Sequence, residues 1–355
     1  YGPALFLRLA TDESLQPEGA AVSKSVTDAA QQLNTNEQRL AELVQRFLAA
    51  TPDARGPILV ELKRGGTAAA APLIAVLADA SQADHHRLTR GTLAALGESV
   101  AAPVTAALQS ADEALQLQII DVLGQMKNRA AAPYLLEPAL AEDSSADLQQ
   151  AAKKALEQIL GGVPSLEETT RFVTKRMESY LDGAYPGQVD EENQVTRWFW
   201  NPEKNAPELI RLAADDASFA AAAEMADVLH AVSPGNHEFA LMNLVTSLET
   251  AKRLTGFDRP LSSAGGNARD AAASAGVDQL EQALILSLQM KMQGAAAAII
   301  EILGETGNAS MLEDAAGQPR AVSLALLDGN RRVRFTAAQT IVGWNPAKAY
   351  PGSSR

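Results

Sequence analysis

Positive charge is concentrated near the C-terminal end of an otherwise acidic chain. Arg331, Arg332 and Arg334 fall within four positions of the stretch DGNRRVRFTAAQTIVG. The whole chain has 30 Lys and Arg against 43 Asp and Glu, a formal net charge of -13. Such a cluster could hold a phosphate, a nucleic acid or an acidic partner, or it could belong to the packing of a structural repeat.

The histidines offer little for metal chemistry. His85 and His86 are adjacent, so on a helix they point about 100° apart, and only Asp84 accompanies them. His230 and His237 flank a Ser-Pro-Gly-Asn turn, and no Glu-x-x-His spacing lies nearby. We therefore predict no metal site.

Catalytic motifs are missing from the sequence. There is no Gly-x-Ser-x-Gly, Walker loop or His-Glu-x-x-His, and Gly265-Gly266 lacks the strand and Lys of a nucleotide loop. The chain has no cysteine, which excludes disulfides, thiolate nucleophiles and zinc–thiolate sites. We predict a protein that is not an enzyme, with no catalytic residue and no cofactor.

The charge balance also limits the partners. Wide contact with nucleic acid or an anionic membrane requires clustered Lys and Arg, which a net charge of -13 disfavours. No run of 18 apolar residues is free of charge, so we expect no membrane insertion. We read the start at Tyr1 and the polar end AKAYPGSSR as signs of a longer polypeptide. The compartment stays open, since an exported and a cytoplasmic protein both fit.

Helices must position these residues. The composition is 46% apolar but only 5% aromatic, and rich in alanine, which favours an all-α protein. Counting from Val333, positions 0, +3, +4, +7 and +8 lie on one helical face. The same apolar template fits from Leu88, Leu115, Leu148 and Ala295. Glycine follows at +9 in three of the five, as Gly97, Gly124 and Gly304, where we expect helix C-termini.

A second helix precedes several of these segments. It begins near a proline, which loses no hydrogen bond in a first helical turn. These prolines are Pro72, Pro103, Pro133 and Pro319. The first three are 31 and 30 residues apart. The repeat unit is therefore an A helix, a short turn, a B helix and another turn.

These units resemble HEAT-like repeats of the short, phycobilisome-lyase type. APLIAVLADASQADHHRLTRGTLAALGE and LLDGNRRVRFTAAQTIVG carry the likeness, which covers 67–162 and 277–346. The family pattern of a loop Asp followed by Val-Arg-x-x-Ala-Ala is matched by Asp328, Val333, Arg334, Ala337 and Ala338. The resemblance implies an all-α fold, an α-solenoid within a large bacterial multi-domain protein, and an Arg334–Asp328 pair that orders the turn.

The middle of the chain lacks the repeat. Ser165 to Glu168 forms a capping box, and Val195–Trp200 is typical of a short hairpin or an extended arm. We predict helices over Ala206–Ala214, Phe219–Val232 and Glu238–Leu254. AAAEMADVLHAVSPGN resembles the second helix of a tetratricopeptide repeat, although the first-helix residues of that family are missing. The loop Phe257–Gly276 is long enough to be mobile or functional.

We divide the chain into five parts. They are an N-terminal extension over 1–35, a HEAT-like block over 36–162, a helical insertion over 163–276, a second HEAT-like block over 277–346, and a C-terminal stub over 347–355. The alternative is two solenoid domains bridged by a helical hairpin domain.

We predict a non-enzymatic scaffold that presents a concave helical surface to a protein partner. The predicted contact residues are Arg331, Arg332, Arg90, Lys153, Trp198 and Trp200. Arg331 and Arg332 could instead be ordinary turn residues, and the tryptophans could be a plug over the inner face. Two other functions stay open: an enzyme or enzyme subunit acting on a bound cofactor, and a small-molecule or carbohydrate-binding domain using Trp198 and Trp200.

Overall fold

The protein is helical almost throughout. A computed structural model describes residues 3–185, 187–261 and 268–353. Helices account for 72% of the chain and strands for 5%, which confirms the all-α prediction. The α-helices of the described residues are α1 Pro3–Thr11, α2 Glu18–Asn34, α3 Glu37–Ala49, α4 Arg55–Arg64, α5 Ala70–Ala78, α6 Ala83–Leu96, α7 Ala101–Ala106, α8 Glu113–Met126, α9 Ala132–Leu140, α10 Ala146–Leu160, α11 Leu166–Leu181, α12 Ala214–Val232, α13 His237–Thr255, α14 Ala268–Ser274, α15 Val277–Gln289, α16 Gln293–Thr306, α17 Ala321–Ala325 and α18 Arg331–Trp344. The strands are β1 Gln194–Asn201 and β2 Ala206–Ala213.

The chain forms two compact units, each with its own core. The first comprises Tyr1–Ala139, Ser145–Val163 and Arg197–Ile210. The second comprises Leu140–Ser144, Pro164–Thr196 and Arg211–Arg355. Each is described below by itself.

Helical hairpins make up most of the first unit. A helices α5, α7 and α9 alternate along the chain with B helices α6, α8 and α10. Helix α6 packs against α8, and α8 packs against α10, so the B helices contact their neighbours in a row. Helix α3 precedes this row and buries the five apolar residues that its spacing predicts, Leu40, Leu43, Val44, Phe47 and Leu48.

A similar row runs through the second unit. Helices α11, α12 and α13 pack in sequence, then α13 contacts α16 and α16 contacts α18. The A helices α15 and α17 pack against α16 and α18. Buried apolar side chains of these helices form one continuous core, with Leu248, Leu284, Ile299 and Val333 at 0–1% exposure.

Short-range signals fix several helix starts, including the predicted capping box of α11. Ser165 and Glu168 form the full capping box at the start of α11. The Ser145 hydroxyl caps α10 by accepting the N–H of Leu148 at 3.2 Å, and the Asp112 carboxylate caps α8.

The prediction of a helix over Ala206–Ala214 is wrong, because most of this segment is strand β2, paired with β1 in a two-stranded sheet. The Asn201 side chain builds the turn between the strands: its oxygen accepts the N–H groups of Glu203 and Lys204. Its amide donates to Glu208 at 2.7 Å. A short apolar run carries too little periodicity to separate helix from strand, and here pairing with the predicted arm decides.

One stretch, Ala80–Gln109, is long and apolar enough to cross a membrane by length and composition alone. Half of its apolar 18-residue window is buried inside the protein. Gly97, with a φ of 68°, ends α6 within it, and α7 follows as a separate helix. Burial and interruption are typical of helices that pack in the core of a helical protein.

Candidate functional site

The B helices follow one positional rule. Positions 0, +4 and +8 of the template enter the core, and in α18 these are Val333, Ala337 and Ile341, all buried. Positions +3 and +7 face the preceding B helix. In α6, the first B helix of its row, positions +3 and +7 are Gly91 and Ala95, and both are exposed. The buried face of α6 therefore includes fewer of the five template positions than predicted.

The edge of a B helix that carries positions +2 and +5 packs against the next B helix, as α16 and α18 show. In α16 the residues at +2 and +5, Ala297 and Ile300, are 1% and 0% exposed. The Thr340 hydroxyl of α18 donates to the Ile300 carbonyl at 3.3 Å. The Trp344 indole likewise donates to the Gly304 carbonyl at 3.3 Å.

The +9 glycines have two different roles. Gly97 is the C-cap of α6 at positive φ, as predicted. The prediction is wrong for Gly124 and Gly304, which lie inside α8 and α16. A Cβ on Gly124 would lie 3.2 Å from the Cα of Ala155, and one on Gly304 would lie 3.0 Å from the hydroxyl oxygen of Thr340. These two glycines therefore allow the next B helix to approach closely.

A shallow groove lies between the last two B helices of each unit. The groove between α8 and α10 has a volume of about 250 Å³, and the one between α16 and α18 about 370 Å³. Five template positions line both grooves: +6 of the earlier helix (α8 or α16) and +3, +6, +7 and +10 of the later helix (α10 or α18). They are occupied by Asp121, Ala151, Lys154, Ala155 and Gln158 in the first unit, and by Glu301, Thr336, Gln339, Thr340 and Gly343 in the second.

An acidic residue occupies the +6 position in both grooves, and a cation of the preceding row helix holds it. The Arg90 Nε atom of α6 lies 2.8 Å from the Asp121 carboxylate. The Lys252 ammonium of α13 lies 2.8 Å from both oxygens of Glu301. The two grooves are thus equivalent in position, and each contains an acid paired with a cation of the preceding helix.

The second groove rests on a buried charge network that the sequence does not predict. Lys252 is fully buried, and its ammonium also donates to the Arg259 carbonyl at 2.9 Å. Glu249 is fully buried and accepts the Ala295 N–H and the Arg253 guanidinium, each at 2.8 Å. Arg253 also stacks on the Phe219 ring at 3.9 Å from its centroid. The available signal was the stretch SLETAKRL, where Glu249 and Lys252 occupy positions that the helix buries.

The three C-terminal arginines serve different contacts. Arg334 closes its turn by donating to the carbonyls of Asp328 at 2.7 Å and Gly329 at 2.9 Å. The predicted pair with the Asp328 carboxylate does not form between these two described residues, because that carboxylate accepts the Asn330 N–H instead. Backbone oxygens at the loop lie closer to the guanidinium than the carboxylate does.

The other two arginines, Arg332 and Arg331, differ in their contacts. Arg332 forms an ion pair with Asp258 and lies 5.8 Å from the centroid of the Phe257 ring. Arg331 is exposed and forms no ion pair with any described residue. Of the two arginines that the repeat leaves unexplained, only Arg331 keeps its charge free for a partner.

The remaining predicted contact residues lie in the first unit. Arg90 is engaged with Asp121 and Gln118, so it joins α6 to α8. Lys153 is half-buried on α10 and donates to Gln149 at 3.4 Å. Trp198 and Trp200 are half-buried, and the backbone N–H of Trp200 donates to the Gln109 side-chain oxygen at 3.4 Å. Neither tryptophan lines the grooves described above.

A third pocket, of about 630 Å³, lies beside α13 in the second unit. It is lined by Asp227, His230, His237 and Asn243 among other residues. The Asp227 carboxylate reaches solvent, yet protein surrounds it on its other sides, and this desolvation raises its pKa. The Asn243 amide donates to it at 3.3 Å and partly offsets the effect. The buried Nδ1 atom of His230 has no hydrogen-bond partner among the described residues.

Among the described residues, no group of three or more His, Asp or Glu side chains has the geometry to hold a metal ion. A scan against protein-family models found no match, and a search of curated proteins found none either. The likeness to HEAT repeats therefore rests on the residues and on the packing rule of the B helices.

Proposed function

We propose that the chain is a non-enzymatic scaffold of HEAT-like hairpins, stacked as an α-solenoid, that binds a protein partner along its B helices. One observation carries this proposal: the same groove recurs in both units, at the same positions of the repeat. An extended surface built from equivalent positions of successive repeats is how solenoid proteins engage their partners.

The chemistry of the grooves favours a basic partner in an extended or helical form. Each groove contains an acid at its +6 position, and the chain as a whole is strongly acidic. The acids are partly neutralised by Arg90 and Lys252, so long-range attraction comes from the net charge of the chain. Polar side chains at the edge, such as Gln158 and Gln339, then supply hydrogen bonds that select the partner.

Site-specific photo-crosslinking tests this function. A photoreactive amino acid is placed at Gln158 in the first groove or Gln339 in the second, and each variant is incubated with an extract of the source organism. We expect the same basic protein to be crosslinked from both positions. The matched control is Glu178, an exposed residue of α11 outside both grooves. Equal adducts from all three positions, or adducts from Glu178 alone, would contradict the proposal.

A second function, binding of a small polar molecule, is favoured by the pocket of Asp227 and His230. The unpartnered Nδ1 atom of His230 and the crowded carboxylate of Asp227 are groups that a ligand could satisfy. Screening small polar metabolites by thermal unfolding tests this idea. The expected result is a rise in unfolding temperature that disappears in His230→Ala, and a rise that persists in this variant would count against it.

A further inference from the structure

The outer edge of α18 carries an apolar stripe that no described residue covers. Phe335 is 61% exposed and Val342 is 77% exposed, and the exposed Ala338 lies between them. Their spacing of three and four residues places all three on one face of the helix. Arg331, four residues before Phe335, extends the same face at the N-terminal end.

The repeat shows what this stripe resembles. Phe335, Ala338 and Val342 occupy positions +2, +5 and +9, which on α16 are Ala297, Ile300 and Gly304. On α16 this edge is buried beneath α18. The stripe is therefore the kind of surface against which another helix packs, with larger residues at +2 and +9 and a smaller one at +5 than on α16.

The last B helix of the first unit is different. On α10 the same three positions are Gln150, Lys153 and Glu157, all of them polar, with Gln150 and Glu157 exposed and Lys153 half-buried. A polar edge is typical of the terminal helix of an array, because it needs no further neighbour. The exposed apolar edge of α18 therefore marks an interaction surface.

We propose that the stripe is a homodimer interface, in which α18 packs against α18 of a second copy of this chain around a two-fold axis. The stripe is self-complementary about Ala338. In an antiparallel pair, Phe335 of each copy lies against Val342 of the other, and the two small Ala338 side chains allow the helices to approach closely at the axis.

Charge selects the antiparallel arrangement. Helix α18 contains three arginines in its first turn and no acidic residue. A parallel pair would bring the two arginine clusters together, whereas an antiparallel pair separates them by roughly 20 Å, the length of the helix. At that distance salt screens their repulsion. Each Arg331 then lies near the C-terminal carbonyls of the other α18, which carry partial negative charge.

The test is the oligomeric state of the full chain, measured by sedimentation from low micromolar to submillimolar concentration. We expect a reversible monomer–dimer equilibrium, and loss of measurable dimer in Val342→Asp. The matched control is Glu157→Lys, a charge change at the same +9 position of α10, which should dimerise like the wild type. Circular dichroism checks that both variants keep their helical content.

A cysteine variant tests the axis itself. The chain has no cysteine, so Ala338→Cys introduces a single thiol. Because this position lies at the proposed two-fold axis, we expect it to form an intermolecular disulfide on mild oxidation. Lys153→Cys, at the same +5 position of α10, should remain largely monomeric.

Three results would overturn the proposal: a wild-type chain that stays monomeric throughout, a dimer that persists in Val342→Asp, or equal crosslinking of the two cysteine variants. Crosslinks from Gln158, on α10, report on the first groove and are read independently of the dimer. Gln339 lies beside the stripe on α18, so its crosslinks to a second copy of this chain are read as dimer contacts and only its crosslinks to other proteins report on the groove.

Discussion

Helices α10 and α18 end the B-helix rows of the two units, and their comparison separates two kinds of information in the repeat. Both bury positions +4 and +8 in the core, as Ala152 and Leu156 in α10 and as Ala337 and Ile341 in α18. Their outer edges differ, since α10 is polar there and α18 is apolar. The inner positions thus specify burial in the core, and the outer positions specify whether a further helix is accommodated.

The largest expected effect concerns the cations behind the two grooves. Lys252 is fully buried, and its removal leaves the Glu301 carboxylate and the Arg259 carbonyl without their donor. We expect Lys252→Ala to lower the free energy of unfolding by about 3 kcal/mol. Arg90 in the first unit is a quarter exposed, so Arg90→Ala should cost about 1 kcal/mol or less. Urea unfolding measures both, and equal losses would mean that burial does not distinguish the two grooves.

The next effect concerns close approach between B helices. Gly124→Val places a side chain against the backbone of Ala155 in α10, so we expect a loss of about 1–3 kcal/mol. Gly91 in α6 has open space around it, and Gly91→Ala should raise stability by about 0.5–1 kcal/mol through helix propensity. Thermal and urea unfolding report both values. A stabilising Gly124→Val would show that α8 and α10 do not pack at this glycine.

Helix capping gives a smaller effect on stability, and the N-caps of α10 and α18 can be compared. Ser145 accepts one backbone N–H at the start of α10, whereas Asn330 accepts those of Arg332 and Val333 at the start of α18. We expect Ser145→Ala and Asn330→Ala each to cost about 1 kcal/mol, with the larger loss for Asn330. Ser99→Ala serves as a control, since Ser99 is not an N-cap. Losses no larger than that of the control would contradict the capping roles.

The smallest effect is a pH dependence from Asp227. The fold raises the pKa of this carboxyl above its ordinary value of 3.8, so the folded state binds the proton more tightly than the unfolded state. The stabilising contribution is therefore present below pH 3.8 and is lost as pH rises through the higher pKa of the folded protein. Asp227→Asn should remove this slope and slightly raise stability at neutral pH. Unfolding midpoints at a series of pH values check this, and an unchanged slope in the variant would contradict it.

Local patterns predicted the helices and their inner faces well. The core residues of α3, the caps of α8, α10 and α11, and the buried positions of α18 all follow from spacing and side-chain type. These features depend on residues within a few positions of one another, so the sequence contains what determines them. The strand β2 was missed because its conformation depends on pairing with β1.

Contacts distant in the chain could not be predicted in the same way. Arg332 pairs with Asp258 across 74 residues, and Lys252 pairs with Glu301 across 49. The glycines Gly124 and Gly304 were assigned to helix ends because a glycine near the end of an apolar pattern has that role more often. Their actual role depends on a helix that follows one whole repeat later. The loop predicted over Phe257–Gly276 contains α14, and its residues 262–267 lie outside those that the structure describes.

The stacking of successive B helices is the central claim, and an engineered disulfide tests it most directly. A Cβ atom on Gly304 would lie 3.6 Å from the Cβ of Thr340, which matches the separation of about 3.5–4.5 Å in natural disulfides. In this cysteine-free chain, the double variant Gly304→Cys with Thr340→Cys should form an intramolecular disulfide on mild oxidation. Gly304→Cys paired with Gln339→Cys is the control, because Gln339 is exposed one position away. A rapid, complete disulfide in the first pair alone is the expected result, whereas a folded first pair that stays reduced would contradict the stacking of α18 on α16.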